Sequence, residues 1–299
     1  MRFSMTRIGF LACPDTLPSV GERTGDAFEH DLQIAAIEPA FIDAGLNLEV
    51  IDWRAPIEAF AGIALVMIGT SWDYQDHSEE FLAKLEQLEG AGIIVCNSST
   101  IVRWNTKKTY LRALEEAGAA IIPTLWVDNA NRQTIAGAME HFGAGTLVIK
   151  RQIGAGAMGQ HRFTRDAMPD AGWSMGHPAM IQPFLPQITK EGELSFLFID
   201  GELSHALIKR AEEGDYRIQS RYGGYEEAIE PDARDTAAAK AILTKIPGET
   251  PLYARIDMLR SEEGTLLLME AELIEPYLYP QQGPKLGTML AEAIAKRVS

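Results

Sequence analysis

The sequence predicts an α/β chain of more than one domain. Three observations carry this. Short apolar runs alternate with helical patterns over the first hundred residues, as in an open α/β layer. A lysine-bearing strand runs into a glycine-rich loop at 147–159, LVIKRQIGAGAMG. The stretch 255–276, RIDMLRSEEGTLLLMEAELIEP, reads as a hairpin of two apolar strands joined at the turn signal SEEG. The 299 residues, 46% of them hydrophobic, suffice for a sizeable core, and the length favours two domains or one divided domain.

The hairpin carries the chemistry. Asp257 lies on its first strand. Glu270 and Glu272 lie on the second, two residues apart, so they point to one face. Carboxylates without partners on a mostly buried sheet are costly. A hard divalent cation neutralises them, and oxygen-only ligands favour Mg²⁺ or Mn²⁺ over zinc. The competing explanation is that they face solvent or pair with lysines. Asp257, Glu270 and Glu272 are therefore the candidate metal ligands.

Composition narrows the partners. The net charge of −15 and pI near 4.9 repel a polyanion, so nucleic acid is not an expected partner. A small phosphorylated ligand is still allowed, because local basic residues and metals decide that. Cys13 and Cys96 form no zinc pattern or disulfide framework, which suits a reducing cytoplasm. No apolar run reaches transmembrane length, so no membrane partner is expected. The opening MRFSMTRIGFLACP reads as a first strand rather than a signal peptide. The oligomeric state is left open, homo-oligomers included.

In chain order, RIGFLA at 7–12 reads as a buried parallel strand. A helix is expected over 31–44, with a break or kink at Pro39. Strands follow at 47–52 and 64–68, and no GxGxxG follows the first strand, so the dinucleotide fingerprint is missing. The segment 69–81, GTSWDYQDHSEEF, comes just after a strand, where α/β sheets place ligands. Its Trp72, Asp73 and Tyr74 are candidates to line a substrate pocket; the alternative is packing against the next domain. A helix to residue 89 and a strand at 93–96 close the first domain, 1–99.

A helix over 107–117 ends at Gly118, a C-cap. Lys107 and Lys108 near its start oppose the helix dipole unless an anion binds there. Lys150 ends the strand before the glycine loop, where Gly154, Gly156 and Gly159 free backbone amides to close over phosphates. The lysine precedes the glycines, unlike the Walker A order, so this is a different cradle. Strands at 195–199 and 204–208 join at Asp200-Gly201, a strong hairpin signal. Lys209, Arg210, Arg217 and Arg221 make a local positive patch, and arginine suits carboxylate or phosphate. Helices are expected at 231–245 and 286–298.

From about Val102 onward this ordered set resembles an ATP-grasp ligase, of the branch holding glutathione synthetase and RimK-type ligases. The resemblance implies the ATP-grasp fold, with the first hundred residues as the α/β domain that precedes it. It implies a first subdomain with lid at 100–185 and a C-terminal subdomain with the metal site at 186–299. The nucleotide lysines fall on Lys107 and Lys150, the lid on Gly154, Gly156 and Gly159, and the adenine hinge on Gln182, Pro183, Phe184 and Leu185. The ribose acid falls on Glu193. Arg210 and Arg217 match the basic residues near the transferred phosphate and the substrate carboxylate, and Asp257 and Glu270 match the metal carboxylates. The family pattern ends Glu-x-Asn; here it is Glu270-Ala271-Glu272, which adds a negative charge and leaves open whether Glu272 ligates directly.

The RWNTKK segment, the WDY loop and the EAELIEP ending look most like the cycloserine-pathway enzymes that close O-ureidoserine. The implied activity is ATP-dependent carbon–nitrogen ligation. A small amino-acid-like substrate is activated on its carboxylate as an acyl phosphate, with ATP and Mg²⁺ as cofactors, then taken by an amine. Lys150, Arg210 and Arg217 are the expected catalytic residues. Intramolecular ring closure, a small-molecule kinase and a non-catalytic nucleotide-binding protein are the alternatives.

Overall fold

The computed structural model describes residues 5–18, 23–154, 159–212 and 223–299. Four strands form a parallel sheet at the N-terminus: β1 (Thr6–Ala12), β2 (Leu46–Asp52), β3 (Ile63–Thr70) and β4 (Ile94–Cys96), in the order β2-β1-β3-β4. The two central strands, β1 and β3, are almost continuously buried, as expected of parallel strands covered on both faces. Helices α1 (Phe28–Asp43) and α2 (Ser78–Gly90) complete the layer.

Two expectations are corrected here. The first helix starts at Phe28 and runs through Pro39 without ending there. Proline removes one helical hydrogen bond. The fully buried Ile37 and Phe41 on either side keep the helix together against the core. The helix expected over 107–117 starts later, as α4 (Tyr110–Glu116), and a helix that was not expected, α3 (Ser99–Asn105), precedes it. Asn105, the last residue of α3, is bound to the main chain of the hairpin. Its amide donates to the Ala271 carbonyl at 2.8 Å and its oxygen accepts from Leu273 N–H at 3.1 Å. Lys107 and Lys108 sit in the gap.

A second sheet, antiparallel, has the order β5-β8-β6-β7. Its strands are β5 (Leu125–Val127), β6 (Thr146–Arg151), β7 (His161–Thr164) and β8 (Ala179–Pro183), with α5 (Arg132–Phe142) packed on it. After the short α6 (Gln187–Lys190) comes the third sheet, β9 (Glu193–Ile199), β10 (Glu202–Arg210), β11 (Tyr225–Ile229), β12 (Tyr253–Arg260) and β13 (Leu266–Glu272). Its order is β11-β10-β9-β12-β13. Asp200 and Gly201 join β9 to β10 with φ of 50° and 81°, the two positive values a tight hairpin turn requires. Between β12 and β13, Asp257 pairs with Glu270 but Met258 with Leu268, so Met269 is an extra residue that bends the hairpin at its chemistry.

α7 (Ala233–Leu243), α3 and α4 pack on this third sheet. α8 (Leu286–Val298) returns to the N-terminal layer and lies against α1. The two helices touch at Gly287, where a Cβ would stand 2.3 Å from the Ala36 carbonyl oxygen. No helix among the described residues is long and apolar enough to cross a membrane.

The N-terminal sheet is fastened to the hairpin by two buried side chains. Asn97 donates to the Tyr253 and Leu273 carbonyls at 3.0 and 2.6 Å, and its oxygen accepts from Leu252 N–H at 2.7 Å. The Tyr253 hydroxyl reaches the carbonyls of Ile68 on β3 and Ile274, both at 2.8 Å. Asn97→Ala would strand one buried N–H and two carbonyls. A loss of about 3 kcal/mol in denaturant unfolding is expected. A loss under about 1 kcal/mol would show that water replaces the side chain.

Candidate functional site

The three sheets meet around one cavity of about 510 Å³. The second sheet contributes Val148 and Lys150 from β6 and Gln182 to Leu185 from the end of β8. The third contributes Glu193, Lys209, Arg255, Asp257, Glu270 and Glu272. The N-terminal layer contributes Cys13, Thr16, Trp72, Asp73 and Gln75. Of the sequence-predicted residues, Trp72, Asp73, Lys150, Gly154, Gln182, Pro183, Phe184, Leu185, Glu193, Asp257, Glu270 and Glu272 all line it. Gly156 and Arg217 lie outside the described residues.

The others stand elsewhere. Lys107 is exposed, and its neighbour Lys108 lines the cavity and pairs with Glu270. The Lys108 N–H donates to the Gln152 carbonyl at 2.7 Å, which ties it beside β6. Arg210 donates to the Glu191 carbonyl and is not on the wall. Strand alternation is the reason: along β10, Lys209 faces the cavity, so Arg210 points away. Tyr74 is buried in the N-terminal core with its ring 5.4 Å from Phe81, so it supports the loop rather than facing substrate. Asp73 accepts from Trp53 Nε1 at 2.8 Å and pairs with Arg54. Gly159, φ 67°, packs over the Arg151 side chain.

The hairpin carboxylates are not unpaired, which corrects the premise read from sequence. Asp257, 1% exposed, accepts from Ser195 Oγ at 2.5 Å, Arg255 Nε at 3.0 Å and Lys209 Nζ at 3.3 Å. Lys209 also donates to Glu193 at 2.8 Å, and the second Glu193 oxygen is buried without a partner. Arg255 bridges to Glu272. Burial works to raise the Asp257 pKa, but Arg255 and Lys209 outweigh it and hold the carboxyl below its usual range. Burial wins at Glu193 and Glu272, which rise above theirs despite Lys209 and Arg255. At Glu275, burial and then Glu272 push the carboxyl up to about 8. Burial depresses Lys150.

These contacts decide how a cation fits. Among the described residues, no group of three or more His, Cys, Asp or Glu side chains could hold a metal ion. Asp257 is a counter-ion to Arg255 and Lys209 as arranged. Glu270 and Glu272 face the cavity as a pair of oxygen donors. Mg²⁺ is commonly held by one or two carboxylates with substrate phosphates completing the set, so this pair suits it.

Sequence reasoning passed over Arg255, although its two-residue spacing from Asp257 places both on one strand face. It also assigned no role to Glu275 or to Tyr279, a non-glycine residue at φ 47° whose ring lies 5.3 Å from Lys209 Nζ and 5.6 Å from Arg255. No sequence signal marks that aromatic contact.

The chain is similar in sequence and fold to known proteins. The family described as D-cycloserine synthetase DcsG, N-terminal domain, matches residues 8–97. The ATP-grasp domain of prokaryotic glutathione synthetase matches residues 166–267. The chain is 26% identical over 272 residues to the cycloserine biosynthesis protein DcsG of Streptomyces lavendulae, covering 85% of this chain and 90% of that one. Its fold is similar to the crystal structure of D-cycloserine synthetase DcsG, with TM-score 0.81, 21% identity, and coverage of 98% and 100% of the two chains. It is also similar to the ATP-grasp ligase PsnB complexed with a phosphomimetic variant of minimal precursor, Mg and ADP, with TM-score 0.67, 18% identity, and 99% of each chain covered.

The Glu275 shift has a measurable sign. Its folded value lies above the ordinary carboxyl value of 4.5, so its contribution is intact below pH 4.5 and is lost as pH rises to about 8. Glu275→Gln removes that loss. The variant's denaturation midpoint should gain on the parent's between about pH 5 and pH 8. Parallel pH curves would show that the carboxyl titrates normally.

Proposed function

The chain belongs to the ATP-grasp superfamily, in the branch of the cycloserine-pathway enzymes, and on that premise we propose that this ATP-dependent ligase joins a carboxylate to an amine through an acyl phosphate. What supports the reading is the shared cavity. It sets an apolar slot, a cluster of cations and carboxylates, and a polar loop of another domain side by side.

The apolar slot suits the adenine. Ile122, Val148, Ile188, Leu259 and Met269 line it. The Phe184 N–H is already taken by the Thr146 carbonyl at 3.0 Å, so the Leu185 N–H is the hinge donor left for the base. Glu193 is the ribose acid. Lys150 and Lys108 would meet the phosphates from the β6 side, and Arg255 and Lys209 from the hairpin side. Arg210, whose guanidinium is engaged at Glu191, gives its expected phosphate role to Lys209 and Arg255. Glu270 and Glu272 would hold Mg²⁺, or Mn²⁺, which offsets negative charge on the phosphates when bound.

Cations placed on two sides of a transferring phosphoryl group stabilise its charge without further rearrangement. Phosphoryl transfer from ATP to the substrate carboxylate gives an acyl phosphate. An amine then attacks the acyl carbon, the carbon–oxygen bond to phosphate breaks, and phosphate leaves. The glycine loop with Gly154, Gly156 and Gly159 would exclude water from the intermediate. Arg217 would pair with the substrate carboxylate. Trp72 and the Asp73 loop would set which small amino-acid-like substrate fits. Ring closure within one molecule is the form that the cycloserine-pathway likeness suggests.

Two measurements test this. With ¹⁸O in the substrate carboxylate, acyl phosphate chemistry moves one label into released phosphate. Turnover to an amide with unlabelled phosphate overturns the mechanism. Lys150→Met should weaken ATP binding by roughly 10–100-fold in calorimetry, the worth of one charge-assisted phosphate contact. Unchanged ATP affinity would remove Lys150 from the nucleotide site.

A further inference from the structure

We infer that Glu275 is the docking point for the ammonium group of the acceptor amine, an assignment that rests on the ligase reading above. The four carboxylates that β9, β12 and β13 bring to the cavity are matched within the chain. Glu193 and Asp257 meet Lys209, Glu270 meets Lys108 and Glu272 meets Arg255. Glu275 lines the same cavity and meets no cation among the described residues. Its side-chain hydrogen-bond partner is the neutral Gln75 amide, Nε2 to Oε1 at 3.5 Å.

Position gives that carboxylate its meaning. Gln75 belongs to the turn Trp72–Asp76 of the N-terminal layer, and Glu275 follows β13 three residues after Glu272. The pair therefore spans the seam between the acceptor side and the phosphate side of the cavity. An anion enclosed beside other anions is stabilised most by an incoming cation. A metal ion would want more oxygen ligands than one carboxylate and one amide provide. A primary ammonium wants few, and the amine of a ligase arrives in water as that cation. Burial and Glu272 already raise the Glu275 carboxyl, a strain that a bound ammonium relieves.

The test separates donor activation from amine use. Protein with Mg-ATP is offered a panel of D- and L-amino acids, with and without hydroxylamine. Hydroxylamine is a neutral nucleophile that traps acyl phosphates as hydroxamates and needs no ammonium site. In Glu275→Gln, hydroxamate formation at saturating amino acid should survive. Amide formation should fall by about 30-fold or more, mainly through KM for the amine-bearing substrate, as expected for losing one partner of an enclosed charge pair. Amide formation within about threefold of the parent overturns the assignment. So does an equal loss of hydroxamate and amide, which would place Glu275 in donor activation or in the fold. Absence of any hydroxamate from the parent protein overturns the ligase reading itself, a distinct failure.

Discussion

The structure depends on one buried ion network. Asp257, Arg255, Lys209 and Glu193 sit on three adjacent strands of the third sheet, and each is at most 7% exposed. Isolated charges in such a place would cost far more than a domain's net stability. They are tolerated because the register aligns them. Lys209 stands opposite Glu193 on β9, and Asp257 opposite Ser195. A one-residue slip of any of these strands would turn a charge into the apolar core on the other face. The network thus ties the register of the sheet to the position of its chemistry.

The second constraint is the seam. Asn97 and Tyr253 bind the N-terminal sheet to the hairpin through main-chain groups, whose positions do not change with side-chain rotamer. α8 closes the same seam from behind by packing on α1. α8, which follows the third sheet in sequence, packs on α1 and on β9 and β10 alike. α3 and α4 precede the second sheet in sequence and pack on the third. The cavity is held in shape from both domains, so the Trp72–Asp76 turn keeps its distance from the carboxylates.

Much of this was legible in the sequence, because it depends on local pattern. Apolar runs located the parallel strands, Asp200-Gly201 the hairpin turn, and the i, i+2 spacing the shared face of Glu270 and Glu272. On β10 strand parity favours Lys209, paired with Glu193, over Arg210, to which the family resemblance pointed. The rest depends on contacts across long separations. Lys107 and Lys108 differ only in what β6 and β13 present to them. Tyr74 differs from Trp72 only in facing Phe81. The partners of the carboxylates, and the lack of a cation at Glu275 among the described residues, exist only once five strands are assembled.

Charge favours the proposed pairing of a divalent cation with the nucleotide. The chain carries a net −15, and the cavity wall is lined by five lysines and arginines, Lys108, Lys150, Arg151, Lys209 and Arg255, against a larger number of carboxylates. Three of the five are already engaged: Lys108 with Glu270, Lys209 with Glu193 and Asp257, and Arg255 with Asp257 and Glu272. A triphosphate alone would add negative charge to a wall with little positive charge to spare. Under the proposed reading, Lys108 would serve a phosphate and Glu270 the metal, so that each of these paired charges would keep an opposite charge beside it. Glu272 fits the same logic. Its charge is balanced by Arg255, on the paired position of the neighbouring strand.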